Sequence, residues 1–218
     1  MIQAVIFDMD GLLIDSEPLW RRAQKAAYKT VGFEIKDEQM QETMGRRIEE
    51  VVEYWYHKHP WEGASLKDVE ALIVDNLIAG VKSEGQMKPG VHHALEVCKQ
   101  AKLPLAIASS SSNEIIEAVL DTLKIHDFFD YIYSADHEPF GKPHPGVFIT
   151  TAGMLGVVPQ DIVVFEDAPS GVLAAKAAKM HCIAVPEPEV KNHAFIQTAD
   201  IVIDSLEEFD HAMLSRFN

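Results

Sequence analysis

Four short stretches carry side chains that could serve one chemistry. The first is Phe7-Asp8-Met9-Asp10-Gly11, where the apolar run Val5-Ile6-Phe7 leads straight into two aspartates. In an extended chain, residues two apart point to the same side, so both carboxylates can reach one ligand at the end of a strand. Gly11 permits a sharp exit. Two bare carboxylates this close repel, and one would hold a proton unless a divalent cation relieved them. Magnesium suits a few carboxylates completed by water and substrate phosphate. An aspartate can attack a phosphoryl group to form an aspartyl-phosphate, while a second carboxyl protonates the leaving oxygen and later activates water. Taken alone, Asp-x-Asp reads better as an ordinary acidic turn after a core strand.

The other three stretches shift that balance. Ile162-Val163-Val164-Phe165-Glu166-Asp167 is a second apolar run ending in two acids. If it lies parallel to the first, all four carboxylates collect at one sheet edge, and four acids there without a cation would be costly. Asp167 could also cap a helix. Leu105-Ala106-Ile107-Ala108 ends in Ser109-Ser110-Ser111-Ser112-Asn113. Hydroxyl and amide side chains (Ser109, Ser110, Asn113) with main-chain N–H groups, where a strand meets a helix, make an anion cradle or a plain helix cap. In Gly141-Lys142-Pro143-His144-Pro145 the prolines stiffen the loop and fix where Lys142 points. Its ammonium is a compact charge suited to a phosphate and an aspartate nucleophile; the bland alternative is a solvated surface lysine.

Positioning these stretches falls to the surrounding elements. Near-continuous apolar runs at 3–7, 103–108, 131–133, 162–165, 182–185 and 201–203 read as strands covered on both faces. Helical patterns at 91–102, 113–122, 145–155 and 170–179 alternate with them, which implies an α/β fold with a doubly wound parallel sheet. The rhythm breaks once. Residues 15–86 show no convincing strand and read as four helices, 16–31, 37–43, 46–59 and 65–83. Asp37 and Ser65 read as N-caps and Gly32 as a C-cap. The expectation is a core of 1–14 and 87–218, with a helical cap of 15–86 closing over the carboxyl end of the sheet, where ligands of open α/β sheets bind.

Bulk properties narrow the function. The 218 residues fit one large domain, or one with a modest insert. With 34 acidic against 19 basic residues, the formal net charge of -15 argues against nucleic-acid and membrane partners. A small anionic substrate stays open, because a metal ion and one or two basic side chains reverse the field locally. Cys98 and Cys182 show no pairing pattern and read as reduced core thiols. The N-terminus has no secretory pattern, and no apolar run nears the ~20 residues that span a bilayer. A cytoplasmic protein is therefore expected; nothing demands more than a monomer, and a dimer is left open. His57 with His59, and His92 with His93, are spaced to diverge on a helix and read as structural or surface residues. Met40, Met44 and Met87 read as packing.

In this order, the four stretches resemble the motifs of the haloacid dehalogenase superfamily, over essentially the whole chain. The helical insert resembles the four-helix cap of its β-phosphoglucomutase-like branch. The resemblance implies a Rossmann-like core and an obligatory Mg2+. It implies Asp8 as nucleophile, Asp10 as general acid/base, and Ser109 with Lys142 on the phosphoryl group. It places Asp8, the main-chain carbonyl of Asp10, Glu166 and Asp167 around the metal. Phosphoglucomutases of the branch carry a histidine where this chain has Trp20, and a lysine before the glycine where it has Met44-Gly45, followed by Arg46 and Arg47. Those departures favour hydrolysis over return of the phosphoryl group to a sugar. Instead the opening from Phe7 to Trp20, with Gly45-Arg46-Arg47-Ile48, Trp55-Tyr56 and Pro60-Trp61, is similar to sugar-phosphate phosphatases of the branch. The implied substrates are 2-deoxyglucose 6-phosphate and other hexose or hexitol phosphates, with Arg47, Glu17 and Trp20 on the sugar side. Arg47 reads nearly as well as an exposed helix arginine, and Trp20 as packing between cap and core. A mutase-type phosphotransferase is the alternative. A non-catalytic phosphoaspartate or nucleotide-binding module is disfavoured by the insert and by the lack of a glycine-rich phosphate loop.

Overall fold

A computed structural model describes residues 1–217. Strands β1 (Ala4–Phe7), β2 (Leu105–Ser109), β3 (Tyr131–Ser134), β4 (Ile162–Glu166), β5 (His181–Ala184) and β6 (Ile201–Val202) make one sheet. It is parallel throughout, in the order β3-β2-β1-β4-β5-β6. The strands read as unbroken apolar runs because both faces are covered. Alternate residues sort into two cores: Val5, Phe7, Ile107 and Phe165 in one, Ala4, Ile6, Ala106 and Val164 in the other.

The first crossover holds the long insert. It contains α1 (Glu17–Thr30), α2 (Asp37–Met40) running into a 3-10 turn at Gln41–Thr43, α3 (Ile48–Lys58) and α4 (Leu66–Glu84). Ser65 caps α4 as the sequence predicts: its hydroxyl accepts from Asp68 N at 3.2 Å, and Asp68 reaches back to Ser65 N at 2.9 Å. Asp37 does not cap α2. Lys36 holds that position, and Asp37 is the first helical residue, paired with Lys25 at 2.7 Å. A carboxylate in the first turn still favours the helix through its dipole. Gly32 lies just past Val31, the C-cap of α1. The chain enters and leaves the insert through a paired neck, with Asp15 N on Gln86 O at 2.9 Å and Lys88 N on Leu13 O at 3.0 Å.

The remaining helices cover the sheet. Residues of α5 (Val91–Gln100) and α6 (Asn113–Leu123) join the Phe7 side, together with the insert. Those of α7 (Gly146–Leu155) and α8 (Pro169–Ala177) join the Ile6 side. Cys98 and Cys182 are buried and unpaired. Among the described residues no helix is long and apolar enough to cross a membrane.

Candidate active site

Strand register builds the site. Phe7 pairs with Ile107 of β2 and with Phe165 of β4. One residue further on, Asp8 therefore stands between Ala108 and Glu166, at the carboxyl ends of three adjacent strands. Lys142, from the loop before α7, reaches across all three. Its Nζ lies 2.6 Å from Asp8 Oδ1, 2.7 Å from Glu166 Oε1 and 3.1 Å from Ala108 O. At 3% exposure it is no solvated surface lysine. Burial disfavours its charge, but the Asp8 and Glu166 carboxylates outweigh that and hold the ammonium above the usual lysine range.

Asp8, Glu166 and Asp167 are all buried and offer carboxylate oxygens within 4.8 Å of one another. Burial pushes Asp8 up to about 7, with Lys142 opposing the rise and Glu166 adding to it. Burial, then Glu166 and Asp8, likewise hold Asp167 well above the usual carboxylate range. One ammonium facing three desolvated carboxylates leaves negative charge uncompensated. An all-oxygen donor set of this kind fits a hard divalent cation such as Mg2+. Two glycines make room for the cluster. A Cβ on Gly11, whose φ is +72°, would lie 2.2 Å from Asp167 Oδ2, and one on Gly171 would lie 1.7 Å from Glu166 Oε1. Asp167 does not cap α8, because Ala168 holds the N-cap position. Its carboxylate belongs to the cluster instead.

Asp10 is held differently. Its Oδ1 accepts from Trp20 Nε1 at 2.8 Å and its Oδ2 from Ser111 Oγ at 2.7 Å. One donor comes from α1 of the insert, the other from the turn after β2. The Asp10 side chain therefore stands outside the group of three carboxylates. Ser109 is buried, its Oγ accepting from Ser111 N at 3.1 Å. Ser110 Oγ donates to Gly45 O at 3.0 Å, tying that turn to the insert.

These groups floor a cleft of about 730 Å³, its mouth included. Glu17, Trp20, Arg21 and Gln24 of α1 form one wall; Met40, Met44, Ile48 and Val51 form an apolar one. Burial raises the Glu17 carboxyl, with Arg21 opposing. Of the residues singled out from sequence, the structure brings together Asp8, Asp10, Glu17, Trp20, Ser109, Ser110, Lys142, Glu166 and Asp167 around this cleft. It places two elsewhere. Asn113 turns its amide to His137 Nε2, 3.0 Å away. Arg47 is 7% exposed, so it is neither a solvated helix arginine nor a cleft residue. It donates to Glu138 O at 3.0 Å and Ala135 O at 3.4 Å, and through Nε and Nη2 to Glu50 Oε1 at 3.0 and 2.7 Å. Glu50 Oε1 also accepts from Gly141 N at 3.1 Å. Arg47 thus straps α3 to the loop before Lys142, and its neighbour Arg46 lines the cleft.

Sequence reasoning missed Ser111, Gln24, Arg21 and Arg46. Ser111 follows Ser109 by two in the serine run. Arg21 and Gln24 lie four and seven residues after Glu17, on one helix face. Met40 joins the core and Met87 packs against it, as predicted; Met44 lines the cleft instead, where Met40 also stands.

A parallel sheet with a helical insert after its first strand, and acids ending strands β1 and β4, defines a class. The profile of the haloacid dehalogenase-like hydrolases matches residues 5–185, and the chain belongs to that family. Within it the chain is 41% identical to hexitol phosphatase B of Escherichia coli (strain K12) over 208 residues, 95% of this chain and 94% of that one. It is 34% identical to a phosphorylated carbohydrates phosphatase of Thermotoga maritima over 185 residues, 81% of this chain and 82% of that one. A crystal structure of β-phosphoglucomutase from Clostridium difficile matches with a TM-score of 0.85 at 26% identity, covering 100% of this chain and 97% of that one.

Proposed function

We propose that this chain is a magnesium-dependent phosphatase of small phosphorylated sugars and polyols, working through an aspartyl-phosphate on Asp8. The observation that carries this is Lys142 laid across three strand ends against Asp8 and Glu166, at the floor of a cleft with one polar and one apolar wall. The chain is a phosphoric monoester hydrolase of its family, and the names of its relatives support sugar and hexitol phosphates as the substrate class.

Asp8, Glu166 and Asp167, with the main-chain carbonyl of Asp10, would hold the magnesium ion. When bound, it neutralises these carboxylates and the phosphoryl oxygens beside them. Lys142 and Ser109 hold the phosphoryl group in line with Asp8. An Asp8 carboxylate oxygen attacks phosphorus, the P–O bond to the sugar breaks, and the Asp10 carboxyl gives its proton to the departing alkoxide. Asp10, now a carboxylate, takes a proton from water as that water attacks phosphorus; the P–O bond to Asp8 breaks and releases phosphate. Trp20 and Met44 stand where the mutases carry histidine and lysine, which supports water as the acceptor. The paired neck supports reading 15–86 as a cap over a core of 1–14 and 87–218. We place the enzyme in the cytoplasm as a monomer; its two buried, unpaired cysteines fit that compartment.

The test is phosphate release from a panel of hexose, hexitol and nucleotide phosphates with magnesium, 2-deoxyglucose 6-phosphate included, beside a mutase assay primed with a hexose bisphosphate. Hexose and hexitol phosphates should be hydrolysed, reversibly inhibited by a chelator, and Asp8→Asn should be inactive while folded. Hydrolysis of nucleotides alone, isomerisation without phosphate release, or an active Asp8→Asn would overturn the proposal.

A further inference from the structure

The polar wall of the cleft runs along one stripe of α1, at residues 17, 20, 21 and 24, the spacing of a single helix face. Most of that stripe is already satisfied by the protein. Trp20 donates to Asp10 at 2.8 Å, and Arg21 pairs with Glu17 at 3.6 Å. Gln24 is different. It is only 8% exposed, it lines the cleft, and among the described residues no donor reaches its Oε1. A buried amide oxygen with no partner weakens a fold, and native structures leave few such groups unless something outside the chain completes them.

Resting on the sugar-phosphate reading, we infer that Gln24 is a specificity-determining residue, binding a substrate hydroxyl remote from the phosphate. The stripe sets the distance. Trp20 marks Asp10 and hence the scissile bond, and Gln24 follows one helical turn later, about 6 Å along the axis. A substrate with its phosphoryl group on Asp8 and its leaving oxygen near Asp10 extends along α1 to this amide. Met40, Met44, Ile48 and Val51 line the same cleft with apolar side chains, which suit the C–H side of the substrate while Gln24 takes the hydroxyl side. An amide presents both donors and an acceptor, and a hydroxyl is both as well, so the pair can form in either sense.

The experiment compares wild type with Gln24→Met, which keeps the length of the side chain and removes the amide, and with Gln24→Glu, which keeps the acceptor. For each, kcat/KM is measured on a hexitol phosphate and on p-nitrophenyl phosphate, and the melting temperature is measured without substrate. In Gln24→Met the ratio of hexitol phosphate to p-nitrophenyl phosphate should fall about tenfold to a hundredfold, mostly through KM, with Gln24→Glu in between. Because Met replaces an unpaired buried acceptor, the melting temperature should hold or rise. A lower melting temperature with equal losses on both substrates would make Gln24 a packing residue and overturn the inference. Wild-type enzyme that takes hexitol phosphates, with an unchanged ratio in Gln24→Met, overturns the role of Gln24 alone. Wild-type enzyme that cleaves p-nitrophenyl phosphate but no hexose or hexitol phosphate overturns the substrate reading beneath it.

Discussion

Lys142→Met is the perturbation that most directly probes the charge balance of the site. Methionine keeps most of the stem and removes the ammonium, together with its bonds to Asp8, Glu166 and Ala108 O at 2.6, 2.7 and 3.1 Å. Asp8, Glu166 and Asp167 then face one another without a counter-charge, 6%, 1% and 3% exposed. Removing one partner of a buried ion pair costs about 3–5 kcal/mol. At this chain length each kcal/mol lowers the melting temperature by roughly 2–4 °C, so the variant should melt roughly 6–20 °C below wild type in chelator. Magnesium that binds the folded carboxylates and not the unfolded chain should restore part of the loss, by mass action. It should raise the melting temperature of the variant more than that of wild type, since the competing ammonium is gone. Activity should stay lost in both conditions, because the cation steadies the cluster without replacing Lys142 on the phosphoryl group. Thermal melts of both proteins, in chelator and in millimolar magnesium, read the stabilities, and phosphate release reads the activity. A drop under about 1 °C in chelator would show that the cluster does not depend on Lys142. Indifference of both proteins to magnesium would refute the metal site.

Two further predictions concern the insert. Trp20→Phe keeps the ring against its neighbours and removes the N–H that Asp10 Oδ1 accepts at 2.8 Å. A hydrogen bond of this kind contributes about 1 kcal/mol to stability, so the melting temperature should fall by roughly 2–4 °C, and kcat should fall because Asp10 loses a donor that orients it; an unchanged kcat would make the bond a resting contact that the chemistry does not use. Arg47→Met takes a buried guanidinium away from Glu50, Ala135 O and Glu138 O, and among the described residues only Gly141 N on Glu50 and Glu138 N on Ala135 O remain. It should lower stability by about 2–3 kcal/mol and reduce kcat/KM equally for sugar phosphates and p-nitrophenyl phosphate; a loss confined to sugar phosphates would return Arg47 to the specificity site.

What the sequence revealed and what it hid divide along a physical line. Asp8, Asp10, Glu166 and Asp167 were legible because each closes a continuous apolar run, and a buried strand announces its own end. Once the sheet is parallel, register does the rest, and residues read separately fall side by side. Arg47 was not legible in the same way. Its acceptors at Ala135 and Glu138 lie 88 and 91 residues away in sequence, and no local pattern says which of two adjacent arginines turns toward the core. Asn113 failed similarly: being at a helix start near the anion cradle does not fix the rotamer, and His137 captures the amide. Gln24 stayed hidden for another reason. A glutamine on a helix is unremarkable until burial removes its water, and burial belongs to the packed insert, not to the residue.

The division of labour in the cleft follows from the same line. In the proposed mechanism, every side chain that acts on phosphorus comes from a strand end or from the loop bearing Lys142, where neighbouring strands hold positions tightly. Every side chain proposed to meet the rest of the substrate comes from the insert. Asp10 alone answers to both, with one carboxylate oxygen on Ser111 of the core and the other on Trp20 of the insert. Its orientation is therefore complete only while α1 is docked. In the proposed mechanism this residue must protonate a leaving group and later deprotonate water, so both proton transfers are tied to the position of the insert. Ser110 on Gly45 and Arg47 on the loop before Lys142 add two more ties across the same junction. Gln24 and Trp20 stand on that one helix, so the inferred contact with the substrate and the orientation of the acid/base group rest on the same docking of α1.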